Sequence, residues 1–285
     1  MRPRIAILGA GSLGAAVGRA LRRSGWPVAA VCRRDRRRAR EAARIVGGGA
    51  RAFTDAARAA RGADLVLVAV RDGEIAPLAE ALARSGAVRP GALVLHASGA
   101  LPSTALAPLR AGGARTAALH PLQTFAAPGG TALEDVWWFH EGDARSSCAS
   151  LVRRLGGRMR SLPPEGKALY HAAAVAASNY LVAVEDLAVR LAVAAGIPRD
   201  DALRALLPLV LGTVRNLEEA GLPAALTGPV ARGDAATVRT HREALRALDP
   251  ALDATYAALG RHALRVAVAR GLSPARARAT ARALR

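Results

Sequence analysis

The chain has almost no lysine. Among its 285 residues 41 are basic, yet only Lys167 is a lysine, and amide side chains are nearly as rare, at Gln123, Asn179 and Asn216. This joint scarcity beside abundant Ala, Arg and Gly indicates a coding bias, so the net charge of +19 does not by itself mark a phosphate-binding face. Aromatic residues make up only 3%, too few to stack against many bases. We therefore predict no nucleic-acid partner and expect the surviving lysine to have a specific role.

Cysteine and long hydrophobic runs are also scarce. The two cysteines, Cys32 and Cys148, are expected to be reduced thiols of a cytosolic protein. The longest uncharged runs, residues 90–109, 116–133 and 168–184, are broken by Pro and Gly or carry His, Gln or Asn. The first residues lead directly into a strand-like segment without an apolar signal core. We expect a cytoplasmic protein with no membrane partner.

The sequence pattern changes at the paired prolines Pro163 and Pro164. Before them, short β-like apolar runs alternate with Ala- and Arg-rich helical stretches, which predicts a parallel, doubly wound α/β sheet. After them only helical stretches follow. With 52% hydrophobic residues, the chain is long enough for two domains with separate cores. We predict an α/β domain over residues 1–162 and an all-α domain over residues 163–285.

The same pattern predicts the individual elements. The expected strands are residues 4–8, 28–32, 64–70, 92–96, 116–120, 136–140 and 158–162. The expected helices of the first domain are residues 13–23, 36–45, 75–83 and 144–155. Those of the second are residues 165–195, 200–220, 234–248, 250–270 and 274–284.

The first strand runs into Gly9-Ala10-Gly11-Ser12-Leu13-Gly14 and then into a helix. In this strand-turn-helix setting, GxGxxG is typical of a Rossmann dinucleotide site. Gly9 permits the tight turn, Gly11 lets the backbone approach a pyrophosphate, and Gly14 lets the helix pack on the strand. The helix begins at Ser12 and Leu13, where free N–H groups are offered to phosphates. A glycine turn without a ligand is the weaker alternative.

The end of the second strand reads Val31-Cys32-Arg33-Arg34-Asp35. A site that prefers NAD usually has an acidic residue here, about 20 residues beyond the glycines, to bind the ribose 2′-hydroxyl. Arg33 and Arg34 instead offer forked donors for a 2′-phosphate. This favours NADP(H) as cofactor; the alternative is that both arginines belong to the general Arg excess.

Three further strand ends are expected at the same crevice, because ligands of such sheets bind outside the carboxyl ends of the strands. They are Val70-Arg71-Asp72, His96-Ala97-Ser98-Gly99 and His120-Pro121-Leu122-Gln123-Thr124. Each alone is an ordinary turn. Together they are predicted to line the nicotinamide through Val70, Ser98 and His120. We predict no metal site.

The only lysine opens the first long helix after the prolines. On that helix Lys167, His171, Ala174 and Ser178 share one face, and the Cβ atoms of the first two lie roughly 6 Å apart. Reduction of a carbonyl leaves charge on oxygen, and a lysine whose pKa is lowered by burial can stabilise and protonate that oxygen. We predict Lys167 as the catalytic general acid, assisted by His171, with Ser178 and Asn179 as substrate contacts. The alternative is a solvated lysine beside an ordinary helical histidine.

A second candidate substrate site lies in the polar Gly/Pro segment 225–234. Arg232 would clamp a substrate carboxylate through its forked donors, and Thr227 would donate a hydrogen bond to it. Asp234 is expected to cap the helix that follows.

With these motifs in place, the chain resembles the Rossmann-like oxidoreductases that carry a C-terminal helical domain of unknown function, of the domain of unknown function 2520 type. The resemblance covers almost the full length. It rests on Gly9-Ala10-Gly11, Arg34, His96-Ala97-Ser98-Gly99, residues 120–125, Lys167, Tyr170-His171, Ser178-Asn179 and residues 226–234.

More distantly, the layout is similar to that of the β-hydroxyacid dehydrogenases, ketopantoate reductases and pyrroline-5-carboxylate reductases. In the first two families a Lys at the start of the long second-domain helix acts on the substrate oxygen. Lys167 matches that Lys, whereas His171 stands where an Asn is common. The resemblance also implies a homodimer formed through the helical domain.

From these features we predict an NADPH-dependent oxidoreductase that reduces a small 2-oxo acid or a related carbonyl. Two alternatives stay open. One is an imine reductase of the pyrroline-5-carboxylate kind, in which the nitrogen arrives protonated and no lysine acid is needed. The other is a non-catalytic protein that binds NADP(H) as a sensor.

Overall fold

The structure, a computed structural model, describes residues 3–285. The chain divides into two compact units, the first ending at Asn179 and the second spanning Tyr180–Arg285. The first unit is built on one sheet flanked by helices, and the second is built from helices. The predicted fold class, a doubly wound Rossmann domain followed by an all-α domain, is confirmed.

The sheet of the first unit has eight strands. They are β1 (Ile5–Leu8), β2 (Val28–Cys32), β3 (Arg51–Phe53), β4 (Leu65–Val68), β5 (Leu93–His96), β6 (Arg115–Pro121), β7 (Trp137–Gly142) and β8 (Arg158–Ser161). Their order across the sheet is β3-β2-β1-β4-β5-β6-β7-β8, and β1 to β6 run parallel. All seven strands predicted from the sequence are present. The additional strand β3 was not predicted because three residues, one of them charged, give no clear apolar pattern.

Helices cover both faces of this sheet because its central strands are apolar along their whole length. The helices of the unit are α1 (Ser12–Arg23), α2 (Arg36–Val46), α3 (Ala56–Ala60), α4 (Asp72–Arg84), α5 (Ala107–Ala111), α6 (Arg145–Arg154) and α7 (Lys167–Ala177). In β1, Ile5 and Ile7 belong to the core that includes Val17 of α1. Ala6 and Leu8 belong to the core that includes Ile75 of α4. Burial on two faces is typical of a parallel sheet between helical layers.

The sheet reverses direction at one edge. β7 is antiparallel to β6, with Phe139 opposite His120, and β8 then runs parallel to β7. The fully parallel sheet expected from the sequence is modified here because residues 122–136, all described, contain no helix. A parallel connection needs a crossover, usually a helix, whereas an antiparallel one does not.

The first unit extends beyond the paired prolines, where the sequence placed the boundary between residues 162 and 163. α7 packs on this unit, because Lys167 bonds to the Ser98 carbonyl after β5 and the Tyr170 hydroxyl bonds to His120 on β6. The helix expected over residues 165–195 is interrupted at Ser178, whose backbone angles (φ −123°, ψ −66°) are not helical. The chain therefore forms two helices there, α7 and α8 (Asn179–Ala194).

A buried ion pair joins three helices of the second unit. After α8 come α9 (Arg199–Ala220), α10 (Gly228–Arg232), α11 (Ala235–Leu248), α12 (Pro250–Ala269) and α13 (Pro274–Ala283). Arg242 of α11 makes two hydrogen bonds of 2.7 Å to Asp253 of α12 and one of 3.1 Å to the carbonyl of Ala283, the last residue of α13. Hydrogen bonding from Arg242, supported by Arg246, lowers the pKa of Asp253 to about 2.

The neutral imidazole of His96 fixes the end of β5 through two hydrogen bonds. Its Nδ1 accepts the Ser98 N–H at 3.2 Å, and its Nε2 donates to the Pro102 carbonyl at 3.1 Å. Burial lowers the pKa of His96 from 6.5 to about 4, against the opposing effect of the bond to Pro102. Protonation of Nδ1 would break the bond to Ser98, so neutrality of this side chain is linked to folding.

Removal of Asp253 should cost far more stability than removal of an exposed acid. Asp253→Ala leaves the Arg242 guanidinium buried without its partner, so we expect a loss of about 3 kcal/mol. Glu80→Ala breaks the exposed Arg84–Glu80 pair of α4 and should cost less than about 1 kcal/mol. Urea unfolding of the full chain measures both variants, and equal losses would contradict this assignment.

The burial of neutral His96 predicts a loss of stability in mild acid. The unfolded chain takes up this proton below about pH 6.5 and the folded chain only near pH 4, so stability falls across that window and is unaffected by this group above it. We expect the contribution of His96 to be about 2 kcal/mol smaller at pH 5 than at pH 7.5. In urea unfolding at the two pH values, His96→Gln should therefore lose less stability than the wild type. The same loss in both proteins would show that another group is responsible.

Candidate active site

The turn after β1 is possible only with glycine. Gly9 has φ +88°, and a Cβ there would lie 2.5 Å from the carbonyl oxygen of Ala69. A Cβ on Gly14 would lie 2.8 Å from the carbonyl oxygen of Gly9. At Gly11, by contrast, the nearest atom to a Cβ would be that same oxygen at 3.9 Å. The turn therefore holds α1 close to the sheet and leaves the backbone of Gly11 bare on its outer side.

The N-terminus of α1 is free to bind an anion. Its first turn is formed by Ser12, Leu13 and Gly14, with Gly11 as the N-cap residue. No described side chain caps this turn, and none of its residues is acidic. Backbone N–H groups at such a terminus bind phosphate groups well. The geometry therefore fits the pyrophosphate of a dinucleotide.

A cavity of about 570 Å³ lies beside this turn, at the carboxyl ends of β1, β2 and β4. The predicted cofactor residues that line it are Gly9, Gly11, Arg33, Arg34 and Val70. Arg33 donates a hydrogen bond of 3.2 Å to the Ala10 carbonyl and is thereby held against the glycine turn. Arg34 pairs with Glu74 at 2.7 Å across the cavity rim.

The acidic residue beside these arginines is already engaged with the backbone. Asp35 accepts the Arg38 N–H at 2.7 Å and caps α2. One carboxylate oxygen of Asp35 therefore caps a helix, although the residue also lines the cavity. Arg38, in the first turn of α2, also lines the cavity and was not predicted from the sequence. Its place in the arginine run that follows Arg34 was the available signal.

Lys167 is almost completely buried beside the loop after β5. The residue is 2% exposed, and its Nζ donates a hydrogen bond of 3.3 Å to the Ser98 carbonyl. Burial lowers the pKa of Lys167, and the negative charges of Glu141 and Asp72 oppose that shift. Glu141 is itself buried, where it accepts hydrogen bonds from the N–H and hydroxyl of Ser103. The alternative of a solvated lysine is therefore wrong.

His120 and Tyr170 form a hydrogen-bonded pair. The Tyr170 hydroxyl lies 2.6 Å from Nδ1 of His120, and the two rings are nearly perpendicular with centroids 5.5 Å apart. Phe139, opposite His120 in the β6–β7 ladder, packs on the Tyr170 ring at 4.6 Å. Burial, together with Lys167 and His171, lowers the pKa of His120 to about 4, and burial raises the pKa of Tyr170 well above its usual value. Both side chains are therefore neutral near pH 7.

His171 lies close to the same histidine, across Gly99. A Cβ at Gly99 would be 2.9 Å from Nδ1 of His171 and 3.1 Å from Nε2 of His120. Nδ1 of His171 is buried and has no hydrogen-bond partner among residues 3–285. The absence of a side chain at Gly99 therefore makes room for both imidazoles.

A second cavity, of about 750 Å³, has these side chains in its wall. The predicted site residues that line it are His120, His171, Ser178 and Asn179. Tyr170 lines it too, and much of the remaining wall is apolar, from Leu122, Phe125, Phe139, Ala173, Ala174, Val175 and Ala177. The structure thus brings one predicted cofactor residue, His120, together with the predicted substrate contacts.

Lys167 and Ser98 line neither of these cavities. Thr227 and Arg232 belong to the second unit, where they flank and end the short helix α10. Asp234 caps α11 as predicted, by accepting the Thr237 N–H at 3.1 Å.

Sequence reasoning missed Tyr170, Phe139 and Glu141. Tyr170 lay beside His171 in the motif that carried the family resemblance, but its partner His120 is 50 residues earlier. Phe139 is brought to the site only by the reversal of β7. The apolar setting of Glu141 in a strand was its available signal, since an acidic residue is seldom buried without partners.

Two family models match the chain over most of its length. A Rossmann-like domain matches residues 1–121, and a domain of unknown function (DUF2520) matches residues 138–263. No curated protein sequence matches.

Solved structures with the same fold include proteins of three bacteria. A candidate NADP oxidoreductase from Bacteroides fragilis is 27% identical with a TM-score of 0.75, over 93% of this chain and 98% of that one. A protein from Thermotoga maritima is 25% identical with a TM-score of 0.72, over 93% and 99% of the two chains. A pyrroline-5-carboxylate reductase from Coxiella burnetii shares the fold at 18% identity, with a TM-score of 0.61 over 95% and 97%. The chain thus has the fold of NAD(P)-dependent oxidoreductases and belongs to the Rossmann-like proteins that carry the C-terminal domain DUF2520.

Proposed function

We propose that this protein is an NADPH-dependent oxidoreductase that reduces a C=O bond of a small substrate. The observation that carries the proposal is the first cavity, where the bare backbone of Gly11, the uncapped terminus of α1 and paired arginines meet. A diphosphate fits the helix terminus, and a 2′-phosphate fits the forked guanidiniums. The description of the Bacteroides fragilis relative as a candidate NADP oxidoreductase supports this choice of coenzyme.

In this proposal the strand ends bind different parts of the coenzyme. Gly9, Gly11 and the first turn of α1 hold the pyrophosphate, and Arg33 and Arg34 hold the 2′-phosphate. Val70, Ser98 and His120 face the nicotinamide. When bound, NADPH supplies a hydride to the substrate carbon.

In this proposal Lys167 acts through its positive charge. Its ammonium is fixed at the Ser98 carbonyl, where a cation stabilises negative charge that develops on a substrate oxygen nearby. His171 assists from the wall of the second cavity, and Ser178 and Asn179 contact the substrate there.

The substrate proposed from the sequence is a small 2-oxo acid, with Arg232 and Thr227 as partners of its carboxylate. An imine reductase is the second candidate, and one observation favours it. Among the described residues that line the second cavity, none is Arg, Lys, Asp or Glu, so this wall offers no cation to a carboxylate and suits a ketone or a cyclic imine.

We also propose that the chain forms a homodimer through α8 and α9. No residue of α8 is buried, and in α9 only Ala202 is. Leu203, Leu207, Leu211 and Val214 recur every three or four residues, so they form one exposed apolar stripe along α9. A patch of this kind on a soluble protein indicates a partner surface, and a second copy offers the same stripe in return.

We place this dimer in the cytoplasm. The segment Pro164–Ala194 is long and apolar enough to cross a membrane, and 6% of its 18-residue apolar stretch is buried. Its first part is α7, which packs on the sheet, and its second part is α8, which the proposed dimer covers. Cys32 and Cys148 are free and buried, in agreement with a reducing compartment.

The proposed function predicts NADPH oxidation with a carbonyl or imine and a dependence on Arg33 and Arg34. The panel is pyruvate, 2-oxoisovalerate, cyclohexanone and 1-pyrroline, followed by loss of NADPH absorbance. In the double variant Arg33→Ala/Arg34→Ala, we expect KM for NADPH to rise about tenfold or more and KM for NADH to change little. Arg37→Ala, in the same arginine run but outside the cavity lining, serves as the control. Tight NADPH binding without turnover on any substrate would instead support a sensor protein.

The dimer proposal predicts a mass in solution of twice that of one chain. The double variant Leu207→Glu/Leu211→Glu places two charges in the α9 stripe and should sediment as a monomer, because burial of unpaired carboxylates is costly. Leu248→Glu changes an equally exposed leucine at the end of α11 and should stay dimeric. A wild-type chain that sediments as a monomer at micromolar concentration would refute the proposal.

A further inference from the structure

We infer that Tyr170 donates the proton that completes carbonyl reduction, and that His120 returns a proton to it from solvent. The inference rests on the proposed reductase function and assigns two roles that the sequence did not. His120 was predicted only as a cofactor contact, and the proton was assigned to Lys167.

The Tyr170 hydroxyl has a fixed position. It is held 2.6 Å from Nδ1 of His120, while Phe139 packs on the ring at 4.6 Å and prevents it from swinging away. The whole trio lines the second cavity. A substrate oxygen in that cavity can therefore reach the hydroxyl without any rearrangement of this wall.

The second support is the contrast with Lys167. That side chain is outside the lining of the second cavity, and its Nζ is engaged with the Ser98 carbonyl inside the protein. An ammonium so placed can stabilise charge on a substrate oxygen, but it is not part of the cavity wall that such an oxygen would contact. Tyr170 is one helical turn further on the same helix and has that path.

Every proton in the proposed step has a donor and an acceptor. Reduction of C=O to CH–OH adds a hydride to carbon and a proton to oxygen. The O–H bond of Tyr170 breaks as the new O–H bond forms, and Nδ1–H of His120 passes its proton to the tyrosine oxygen. Nε2 of His120 takes up a proton from water, so the net donor is solvent.

The relay as written starts from neutral groups. A neutral imidazole has Nε2 free to take up a proton, and a neutral phenol has a proton to give. Burial lowers the pKa of His120 to about 4 and raises that of Tyr170, so both groups are neutral around pH 7.

The test compares Tyr170→Phe with a matched tyrosine elsewhere. Tyr256 in the second unit bonds to Nδ1 of His241 at 2.8 Å, with the rings again nearly perpendicular, so Tyr256→Phe removes the same kind of bond away from the site. With cyclohexanone, kcat should fall about 100-fold or more in Tyr170→Phe, with KM within a few fold, and stay unchanged in Tyr256→Phe. With 1-pyrroline, which arrives protonated, Tyr170→Phe should keep most of its kcat.

The outcomes distinguish a failure of this inference from a failure of the proposed function. Equal loss with both substrates in Tyr170→Phe means a structural role and overturns the inference, as does a kcat for cyclohexanone within threefold of wild type. Wild-type turnover of 1-pyrroline alone overturns it too, since no donor is then needed. If the wild type oxidises NADPH with no substrate of either class, the proposed function fails and the inference fails with it.

A readout without coenzyme or substrate tests the relay directly. In ¹⁵N NMR of histidine-labelled protein, His120 should stay neutral from pH 8 to pH 5, and its Nδ1 resonance should move in Tyr170→Phe but not in Tyr256→Phe. An Nδ1 resonance of His120 that does not move in Tyr170→Phe would contradict the inference even if that variant were less active.

Discussion

The architecture of the proposed coenzyme site depends on one close contact, between the turn after β1 and the end of β4. A side chain at Gly9 would collide with the Ala69 carbonyl, so the adjacent parallel strands β1 and β4 can approach at their ends only with glycine in that turn. This turn also determines where α1 begins, and it leaves the first N–H groups of the helix uncapped. Arg33 is fixed by the same loop through its bond to the Ala10 carbonyl. The phosphate-binding features thus follow from a steric constraint on the backbone.

A second constraint shapes the other half of the first unit. The missing crossover between β6 and β7 forces β7 to run antiparallel, and this pairing sets Phe139 directly opposite His120. α7 then brings Tyr170 onto that pair and buries Lys167 against the loop after β5. The result is a buried lysine behind a cavity wall that contains the hydrogen-bonded pair of His120 and Tyr170. In the proposed mechanism, this arrangement separates the stabilisation of developing charge from the delivery of a proton.

The sequence predicts the parts of this molecule that local pattern encodes. Short apolar runs between helical stretches predict the strands of the sheet, and the spacing of the glycines predicts the turn. Both patterns depend only on neighbours within a few residues. The pairing of His120 with Tyr170 is not predictable in this way, since it joins residues 50 apart through tertiary packing. The interruption at Ser178 lacks a Gly or Pro signal, so residues 165–195 read as one helix. Asp35 shows the opposite case, in which a conspicuous charge beside the coenzyme crevice serves a helix cap.

The central claim is that a nicotinamide dinucleotide binds at the carboxyl ends of β1, β2 and β4, against the backbone of Gly11. Calorimetric titration of the full chain with NADPH, beside Gly11→Ala, tests it most directly. A Cβ at Gly11 meets no atom closer than 3.9 Å, so the variant should fold normally and yet obstruct the approach of the pyrophosphate. The account predicts saturable binding of one NADPH per wild-type chain, with affinity about tenfold or more lower in Gly11→Ala. A wild-type chain that binds neither NADPH nor NADH, or a variant that binds as tightly as wild type, would contradict it.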